Sequence, residues 1–346
     1  MVYQVDVFPR ELHFKKLART SRGEYVTRRI WLVRVMIPDT GCYGIGECAP
    51  LPDLSCDAVP DYESVLREAC RRLAETGVID WILLASYPSI LFGLETALFH
   101  LQAGSLRFWN TPFGLGMEGI PINGLIWMDS YEEMLRSIGQ KLEAGFSCIK
   151  LKIGAIDFEE ELALLAHIRQ RFSADRITLR VDANGAFRPE DALEKLKRLA
   201  LFDIHSIEQP IRAGQWQAMA ELCAVSPIPI ALDEELIGIH QEEDKKRLLD
   251  VIRPDYLVLK PSLHGGFSGS KEWLELARER GIGYWITSAL ESNIGLNAIA
   301  QWCATLQPQI PQGLGTGQLF TDNIMEPLQI RDGKLWCVDP LAQLEI

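Results

Sequence analysis

Five charged side chains stand at the ends of apolar runs, at nearly equal distances along the chain. They are Lys152, Asp182, Glu208, Asp233 and Lys260, and they follow one another at intervals of 30, 26, 25 and 27 residues. Each interval has the length of one strand, one helix and two loops. The apolar runs are typical of buried strands, and helical patterns fill the gaps between them. This alternation predicts a parallel α/β sheet, and seven or eight such units favour a closed barrel over an open sheet.

The alternation begins near residue 120, and the chain before it is organised differently. The predicted barrel strands cover 121–126, 147–152, 177–182, 204–208, 229–233, 255–260 and 283–288, with a weaker eighth at 310–315. Residues 1–115 contain antiparallel strands and two helical patterns without the repeat, which predicts a separate α+β domain. Near the end of the chain, Asp332-Gly333 between apolar runs predicts a hairpin. We expect this hairpin, within residues 324–346, to pack onto the N-terminal domain and complete it.

Charge and cysteine content limit the possible partners. The 346 residues include 35 basic and 47 acidic side chains, and the net charge of −12 argues against nucleic acid or an anionic membrane as a partner. The eight cysteines form no CxxC pair, and no apolar stretch approaches the roughly 18–20 residues that span a bilayer. The N-terminus lacks the basic and apolar blocks of a signal peptide. We therefore expect a cytoplasmic protein that acts on a small molecule.

The carboxylates among the five residues predict a metal site. In a parallel barrel, side chains at the carboxyl ends of the strands line the active site. Asp182, Glu208 and Asp233 end three successive predicted strands, and converging carboxylates repel one another unless a cation lies among them. An all-oxygen ligand set favours Mg²⁺, with Mn²⁺ as a substitute. Each residue taken singly is more simply explained as a solvated or ion-paired charge, but the regular spacing of the whole set favours a site.

The lysines predict acid/base chemistry on either side of that metal. Lys150 and Lys152 are two residues apart, so a strand directs both side chains to the same face. Positive charge nearby favours the neutral form of an amine, which suits Lys152 to the role of general base. Lys260 ends a later apolar run and would approach the cavity from the other side.

These motifs carry a family resemblance that covers nearly the whole chain. The sequence resembles the enolase superfamily, in its muconate-lactonising subgroup, at Lys150-x-Lys152, Asp182-Ala-Asn184-Gly, Glu208-Gln-Pro210, Asp233-Glu234 and Lys260-Pro261. The resemblance implies a modified TIM barrel, (β/α)₇β, over residues 116–323, with an α+β capping domain over 1–115. It implies acid/base roles for Lys152 and Lys260, with Mg²⁺ held by the three carboxylates. Three further residues would then contact these groups: Lys150, Asn184 and Glu234.

Local stretches within the subgroup are most similar to the o-succinylbenzoate synthases. These stretches are 288–292, 260–269 and 313–317, and they imply substrate contacts from Ser288, Glu291, Gly315 and Thr316. Glu291 is alternatively a helix-capping residue or a partner of the residues that contact the substrate. The implied reaction is the syn-dehydration of 2-succinyl-6-hydroxy-2,4-cyclohexadiene-1-carboxylate to 2-succinylbenzoate, in menaquinone biosynthesis. An N-acylamino acid racemase or a dipeptide epimerase of the same superfamily is the alternative. The eighth strand lacks the Asp-x-Asp pair with which dipeptide epimerases hold a substrate amine, and this argues against an epimerase. A barrel that binds an acidic metabolite without turnover is a further alternative.

Two loops remain open to more than one interpretation. Residues 18–23 are basic and rich in small side chains, and form either a surface loop or a mobile lid. The glycine-rich stretch Gly265–Gly269 precedes a helical pattern and lacks the lysine of a P-loop. Its backbone amides could bind an anion, and we expect it to lie near the substrate carboxylate.

Overall fold

A computed structural model describes residues 2–19, 23–127, 129–324 and 327–338. The N-terminal part is a three-stranded antiparallel sheet, in the order β1-β2-β3, covered by helices. Its elements are β1 (Gln4–Arg19), β2 (Glu24–Met36), β3 (Tyr43–Cys48), α1 (Tyr62–Thr76), α2 (Trp81–Leu84) and α3 (Pro88–Ala103). We call this part the cap.

Two glycines allow β3 to lie directly against α3. A Cβ atom at Gly44 or Gly46 would stand 2.0 or 1.8 Å from a backbone carbonyl oxygen of α3, so only glycine fits at these positions. Side chains alternate along a strand, so Ile45 and Glu47 point away from α3. The local sequence therefore places an acidic side chain on the face of the cap that meets the rest of the chain.

The second part is a parallel barrel, as predicted. Seven strands follow one another in sequence order around it: β5 (Gly124–Ile126), β6 (Cys148–Lys152), β7 (Thr178–Asp182), β8 (Ile204–Glu208), β9 (Ile230–Leu232), β10 (Tyr256–Leu259) and β11 (Gly283–Ile286). Parallel bridges from Gln312 to Ile122 and from Gly313 to Thr287 close the ring. The weak eighth strand predicted at 310–315 is thus reduced to two bridging residues, and the (β/α)₇β barrel is confirmed.

Helices follow the strands and cover the outside of the barrel. They are α4 (Tyr131–Glu143), α5 (Phe158–Arg171), α6 (Pro189–Ala200), α7 (Trp216–Val225), α8 (Glu242–Ile252), α9 (Gly266–Glu279) and α10 (Asn293–Thr305), with a 3₁₀ turn at Glu234–Leu236. Their apolar faces and the strands form one continuous core. A smaller cluster, which includes Leu12, Ile30 and Ile45 of the cap and Ile294 of the barrel, joins the two parts. Burying each such side chain contributes about 1.5–3 kcal/mol.

The C-terminal hairpin does not pair with the sheet of the cap. Its strands β12 (Leu328–Arg331) and β13 (Lys334–Cys337) join β4 (Ile120–Pro121), the short strand that leads into the barrel. Within the described residues, this corrects the expectation that the hairpin completes the capping domain. The Asp332-Gly333 turn sets the local pairing, but it carries no information on which free edge the hairpin joins. The cap is instead reached by the segment before the hairpin, where Phe320 bridges Phe14 of β1.

Three remaining expectations concern membrane-spanning helices, the cysteines and the loop at residues 18–23. In the part of the chain that the structure describes, no helix is long and apolar enough to cross a membrane. None of the eight cysteines, all of which lie within the described residues, forms a disulfide, and five of them are buried. The surface loop or lid predicted over residues 18–23 falls largely on residues 20–22, which lie outside the described ranges.

Candidate active site

The barrel register brings the predicted residues to one end of the sheet. Lys152 of β6 lies opposite Asp182 of β7, which in turn lies opposite Glu208 of β8. Asp233 and Lys260 come one residue after β9 and β10, so they also project from the carboxyl ends of their strands. Lys150 and Lys152 share the inner face of β6 because side chains alternate along a strand. The structure therefore brings together all five residues that sequence spacing singled out.

Ion pairs link these residues across the top of the barrel. The Lys150 Nζ lies 2.9 Å from Asp182 Oδ2 and also contacts Glu208 Oε2. The Lys152 Nζ lies 3.1 Å from the same Asp182 oxygen, and the Lys260 Nζ lies 2.6 Å from Asp233 Oδ2. The three carboxylates are almost fully buried, so their charges depend on these ammonium groups for compensation.

Burial and neighbouring charges shift the pKa values in different directions. Burial raises the pKa of Asp182, but Lys150 and Lys152 outweigh it and hold the pKa of this carboxyl well below its usual range. Burial raises the pKa of Glu208 to about 7, with further repulsion from Asp182 and Asp233 and opposition from Lys150. Burial lowers the pKa of Lys260, yet attraction to Asp233 raises it overall and favours the ammonium form. The cluster thus contains a carboxyl with a lowered pKa, Asp182, beside a carboxyl with a raised pKa, Glu208.

A hydrogen-bonded chain holds Lys152 in place. The Lys152 Nζ donates to Asn184 Oδ1 at 2.7 Å, and Asn184 Nδ2 donates to Glu234 Oε1 at 2.9 Å. Asn184 has a positive φ of 44°, and its backbone N–H donates to Asp182 Oδ1 at 3.0 Å. Asparagine tolerates this left-handed conformation better than most residues do. The turn after β7 therefore directs an amide side chain at the lysine while it also fixes the neighbouring carboxylate.

The carboxylates retain unused capacity for a cation. Among the buried side-chain oxygens without a hydrogen-bond partner are Glu208 Oε1, Asp233 Oδ1 and Glu234 Oε2. An unpartnered buried carboxylate oxygen is costly, and a hard divalent cation is a suitable ligand for it. Over the described residues, no three acidic, His or Cys side chains already stand in a metal-binding arrangement, and ammonium groups contact the other oxygens. The chemistry of these oxygens therefore fits a divalent metal.

A cavity opens above this cluster, between barrel and cap. The cap contributes Tyr25, Leu51 and Leu54 to its wall. The barrel contributes polar groups at the base and apolar side chains around them, including Trp127, Trp285 and Leu290. The sequence did not single out any of these apolar residues. Trp127 directly follows the predicted strand 121–126, so the same strand-end argument could have found it, whereas the cap residues carry no comparable signal.

The predicted substrate-binding residues divide into two groups. Ser288, Gly315 and Thr316 line the cavity, and the hydroxyl groups of Ser288 and Thr316 are hydrogen-bonded to each other. Glu291 is fully buried and is not part of the wall. Its carboxylate accepts hydrogen bonds from Ser262 Oγ and from the backbone N–H of Ala289, the latter at 2.7 Å. Glu291 therefore holds the loop that carries Ser288 and does not face the cavity as expected.

The amides of the glycine-rich stretch do bind a carboxyl group, but this group belongs to the protein. Glu95 of α3 accepts hydrogen bonds from the backbone N–H groups of Phe267, at 2.6 Å, and Ser268, at 3.2 Å. A Cβ atom at Gly266 would stand 2.2 Å from Glu95 Oε2, so glycine is needed for this approach. The expectation that this stretch lies near a substrate carboxylate is therefore wrong, because a cap side chain occupies its free amides.

Comparisons with known proteins agree with this geometry. Residues 133–339 match the family model described as enolase C-terminal domain-like. An o-succinylbenzoate synthase from Desulfotalea psychrophila is 48% identical over 357 aligned residues, which cover 94% of this chain and 96% of that protein. The crystal structure of MenC from the same organism superimposes with a TM-score of 0.83 at 42% identity, over 97% of this chain and 100% of that one.

More distant relatives share the fold. The L-Ala-D/L-Glu epimerase of Bacillus subtilis is 24% identical over 83% of this chain and 80% of its own length. Its substrate-liganded structure superimposes with a TM-score of 0.83 at 20% identity, over 97% of this chain and 96% of that one. This level of identity establishes the architecture alone. The family model and the 48% identical relative establish more: the chain belongs to the enolase superfamily and, within it, to the family of the o-succinylbenzoate synthases.

Proposed function

We propose that the chain is an o-succinylbenzoate synthase, a carbon–oxygen lyase of menaquinone biosynthesis. It would convert 2-succinyl-6-hydroxy-2,4-cyclohexadiene-1-carboxylate into 2-succinylbenzoate by syn-dehydration. The observation that carries the proposal is the placement of two lysines across one cavity. Lys152 projects from β6 and Lys260 follows β10, four strands farther around a ring that eight strand positions close. The two amines therefore approach a bound substrate from opposite sides.

A divalent metal is part of this proposal. Enzymes of the enolase superfamily generally use one. We assign Mg²⁺, with Mn²⁺ as a substitute, to Asp182, Glu208 and Asp233, because three carboxylates without His or Cys form a hard ligand set. Bound there, such an ion supplies the positive charge that acidifies the carbon next to the substrate carboxylate.

Lys152 is proposed as the base. Asn184 accepts a hydrogen bond from its Nζ and thereby holds the amine at the cavity wall. The neutral amine takes the proton from the carbon next to the substrate carboxylate. The resulting ammonium then gives a proton to the departing hydroxyl group, which leaves as water. A syn-elimination is the expected stereochemical course, because one group on one face of the ring handles both the proton and the leaving group.

Lys260 is proposed to stabilise the negative charge that develops on the other face. Its raised pKa keeps it cationic, and the attraction to Asp233 is the main reason for that rise. A fixed cation in a cavity with apolar walls stabilises developing charge more strongly than one in water. In this role Lys260 exchanges no proton during the dehydration.

The proposal also includes the class of substrate and the cellular location of the enzyme. The substrate is a small-molecule carboxylate, and the lysine pair with its carboxylates supplies the charges to bind and activate it. We place the enzyme in the cytoplasm, where thiols stay reduced; the eight cysteines, none of which forms a disulfide in the described residues, support this assignment.

An ultraviolet assay with the cyclohexadiene substrate tests the proposal. The aromatic product should form with the purified protein in the presence of Mg²⁺, and treatment with EDTA should abolish its formation. If the protein binds metal but gives no product, the reaction is wrong and the racemase or epimerase alternative takes its place. Exchange of a substrate α-proton with deuterium from solvent, using N-acylamino acids and dipeptides, would then identify that alternative. If the protein neither forms product nor binds metal, the remaining alternative is a barrel that binds an acidic metabolite without turnover.

A further inference from the structure

The backbone of the loop after β11 is held in a strained conformation. This loop, Ser288–Ser292, places Ser288, Ala289 and Leu290 in the wall of the active-site cavity. Leu290 has a positive φ of 63°, a region that side chains with a Cβ rarely adopt. Such a conformation persists only where the surrounding structure determines it. The groups that hold the loop therefore matter for the shape of the cavity.

Glu47 of the cap binds one end of this loop. Its Oε1 accepts from the backbone N–H of Ser292 at 2.8 Å, and its Oε2 accepts from Ser292 Oγ and from the backbone N–H of Gly295 at 2.9 Å. These groups form the N-terminus of α10, where backbone amides need acceptors and the helix dipole favours negative charge. A Cβ atom at Gly295 would stand 3.0 Å from Glu47 Oε2 and closer still to Glu291, so glycine is needed there.

Arg28 of the cap binds the middle of the same loop. Its guanidinium is fully buried and donates to the carbonyl oxygens of Ala289, at 3.2 Å, and of Pro50, at 2.9 Å. Pro50 belongs to the cap segment between β3 and α1 that also carries Leu51 and Leu54 of the cavity wall. One side chain thus connects the cap wall of the cavity to the barrel wall.

We infer that Glu47 and Arg28 are positioning residues: from the cap, they fix the loop Ser288–Ser292 in the conformation that binds substrate. Neither side chain lines the cavity, so both act through the loop. As far as substrate affinity is concerned, the inference rests on the proposed function. All the contacts of Glu47 are with donors, which matches its ionised form; burial raises its pKa, and the bonds from Ser292 and Gly295 oppose that rise.

The chain offers a matched control at the neighbouring helix. Glu95 is likewise a buried cap glutamate that accepts from two amides at the N-terminus of a barrel helix, here α9. The amides that it binds, on Phe267 and Ser268, belong to residues outside the cavity wall. Glu47→Gln and Glu95→Gln therefore make the same chemical change at equivalent places, and only the first lies next to the substrate-binding loop.

The test combines hydrogen exchange with steady-state kinetics on the full-length protein. Glu47→Gln should accelerate amide exchange in residues 289–296 and raise KM about tenfold, with a smaller change in kcat, because a loop displaced by a fraction of an ångström binds substrate less well. Glu95→Gln should accelerate exchange near residues 267–268 and leave KM unchanged. A purely structural Glu47 would lower the amount of folded protein without changing the KM of the folded fraction.

The outcomes that overturn the inference are specific. The inference fails if Glu47→Gln keeps the amide exchange rates and the KM of the wild type. It also fails if Glu47→Gln and Glu95→Gln change KM equally. Should Glu47→Gln fail to fold, Ser292→Ala removes one donor to the same carboxylate, and an unchanged KM and exchange rate there would equally refute the role. If the wild-type protein has no turnover, the proposed function fails by itself, and the exchange comparison alone still decides whether Glu47 fixes the loop.

Discussion

Buried carboxylates occur in two regions of this molecule, and their hydrogen bonding differs. Both oxygens of Glu47 and both oxygens of Glu95, at the interface of cap and barrel, accept hydrogen bonds from helix N-termini. At the strand ends, Asp233 and Glu208 each keep one buried oxygen without a partner, and ammonium groups contact the others. Glu47 and Glu95 at the interface thus use both of their oxygens, whereas the carboxylates at the strand ends still have capacity for a ligand.

This difference separates residues that join the two parts from residues to which we assign the chemistry. A fully satisfied carboxylate contributes to stability, and its loss leaves buried donors unpaired. A cluster with unpaired oxygens and opposed lysines is destabilising by itself and is retained where a function needs it. Substitutions at the strand ends should therefore lower kcat, whereas substitutions at the interface should change stability, its pH dependence or KM and largely leave kcat intact.

The largest effect is expected from Lys152→Ala. Loss of a general base typically costs 10²–10⁴-fold, and we expect turnover to fall by about 10³-fold or more. Stability should change little, because Asp182 keeps Lys150 at 2.9 Å. Steady-state kinetics and urea unfolding measure both quantities, with Lys271→Ala on the exposed face of α9 as control. Retained turnover would remove Lys152 as the base, and a calorimetric titration should still show Mg²⁺ binding.

Lys260→Ala should lower both turnover and stability, and this sharpens the comparison between the two regions. Removal of a fixed charge that stabilises a transition state costs about 10²–10³-fold in kcat. This variant also leaves the buried Asp233 without the ammonium it pairs with, and breaking a buried pair costs about 3–5 kcal/mol.

Two further measurements separate the effect of Lys260 on stability from its effect on turnover. Added Mg²⁺ should restore much of the lost stability, because it supplies charge to the same carboxylate. Lys260→Arg keeps the positive charge and should keep the stability while kcat stays low. A mild loss of kcat in Lys260→Ala would instead demote Lys260 to positioning the substrate.

The sequence allowed prediction of the barrel and its charged residues because both depend on local patterns. A charged residue that ends an apolar run marks a strand end, and parallel strands bring their carboxyl ends together. The contacts between cap and barrel had no such pattern. Glu47 meets Ser292 across 245 residues, and Glu95 meets Phe267 across 172 residues. The sequence does place an acidic residue, Glu47, in an apolar strand after Gly44 and Gly46. This pattern indicates a buried charge, but it does not identify the partner of that charge.

The position of the C-terminal hairpin was missed, and the role of Glu291 was left open, for a related reason. An Asp-Gly turn fixes the pairing of two adjacent strands, but the edge that such a hairpin joins depends on tertiary structure. Likewise, a glutamate in a loop of the active site can face the cavity or support the loop. Glu291 supports it, because Ser262 and the Ala289 amide offer donors on the buried side.

The smallest of these effects is a change in the pH dependence of stability. Burial raises the pKa of Glu95 from 4.5 to about 7, against the hydrogen bonds from Ser268 and Phe267. The unfolded state loses this proton near its ordinary pKa, whereas the folded state keeps it up to about pH 7, so this group makes stability fall as the pH rises through that window. At about 1.4 kcal/mol per pKa unit, the contribution is up to about 3 kcal/mol.

Glu95→Gln should remove this part of the slope. Urea unfolding at pH values from 5 to 8 gives the free energy of unfolding of the wild-type and variant proteins. The contributions of other titrating groups cancel from the difference between the two proteins. Glu190→Gln is the control, because Glu190 stands in the first turn of α6 but is exposed. Turnover at constant pH should be unaffected in both variants. Equal slopes in wild type and Glu95→Gln would mean that Glu95 ionises as freely as a surface carboxylate, and that its two amide donors offset the cost of its burial.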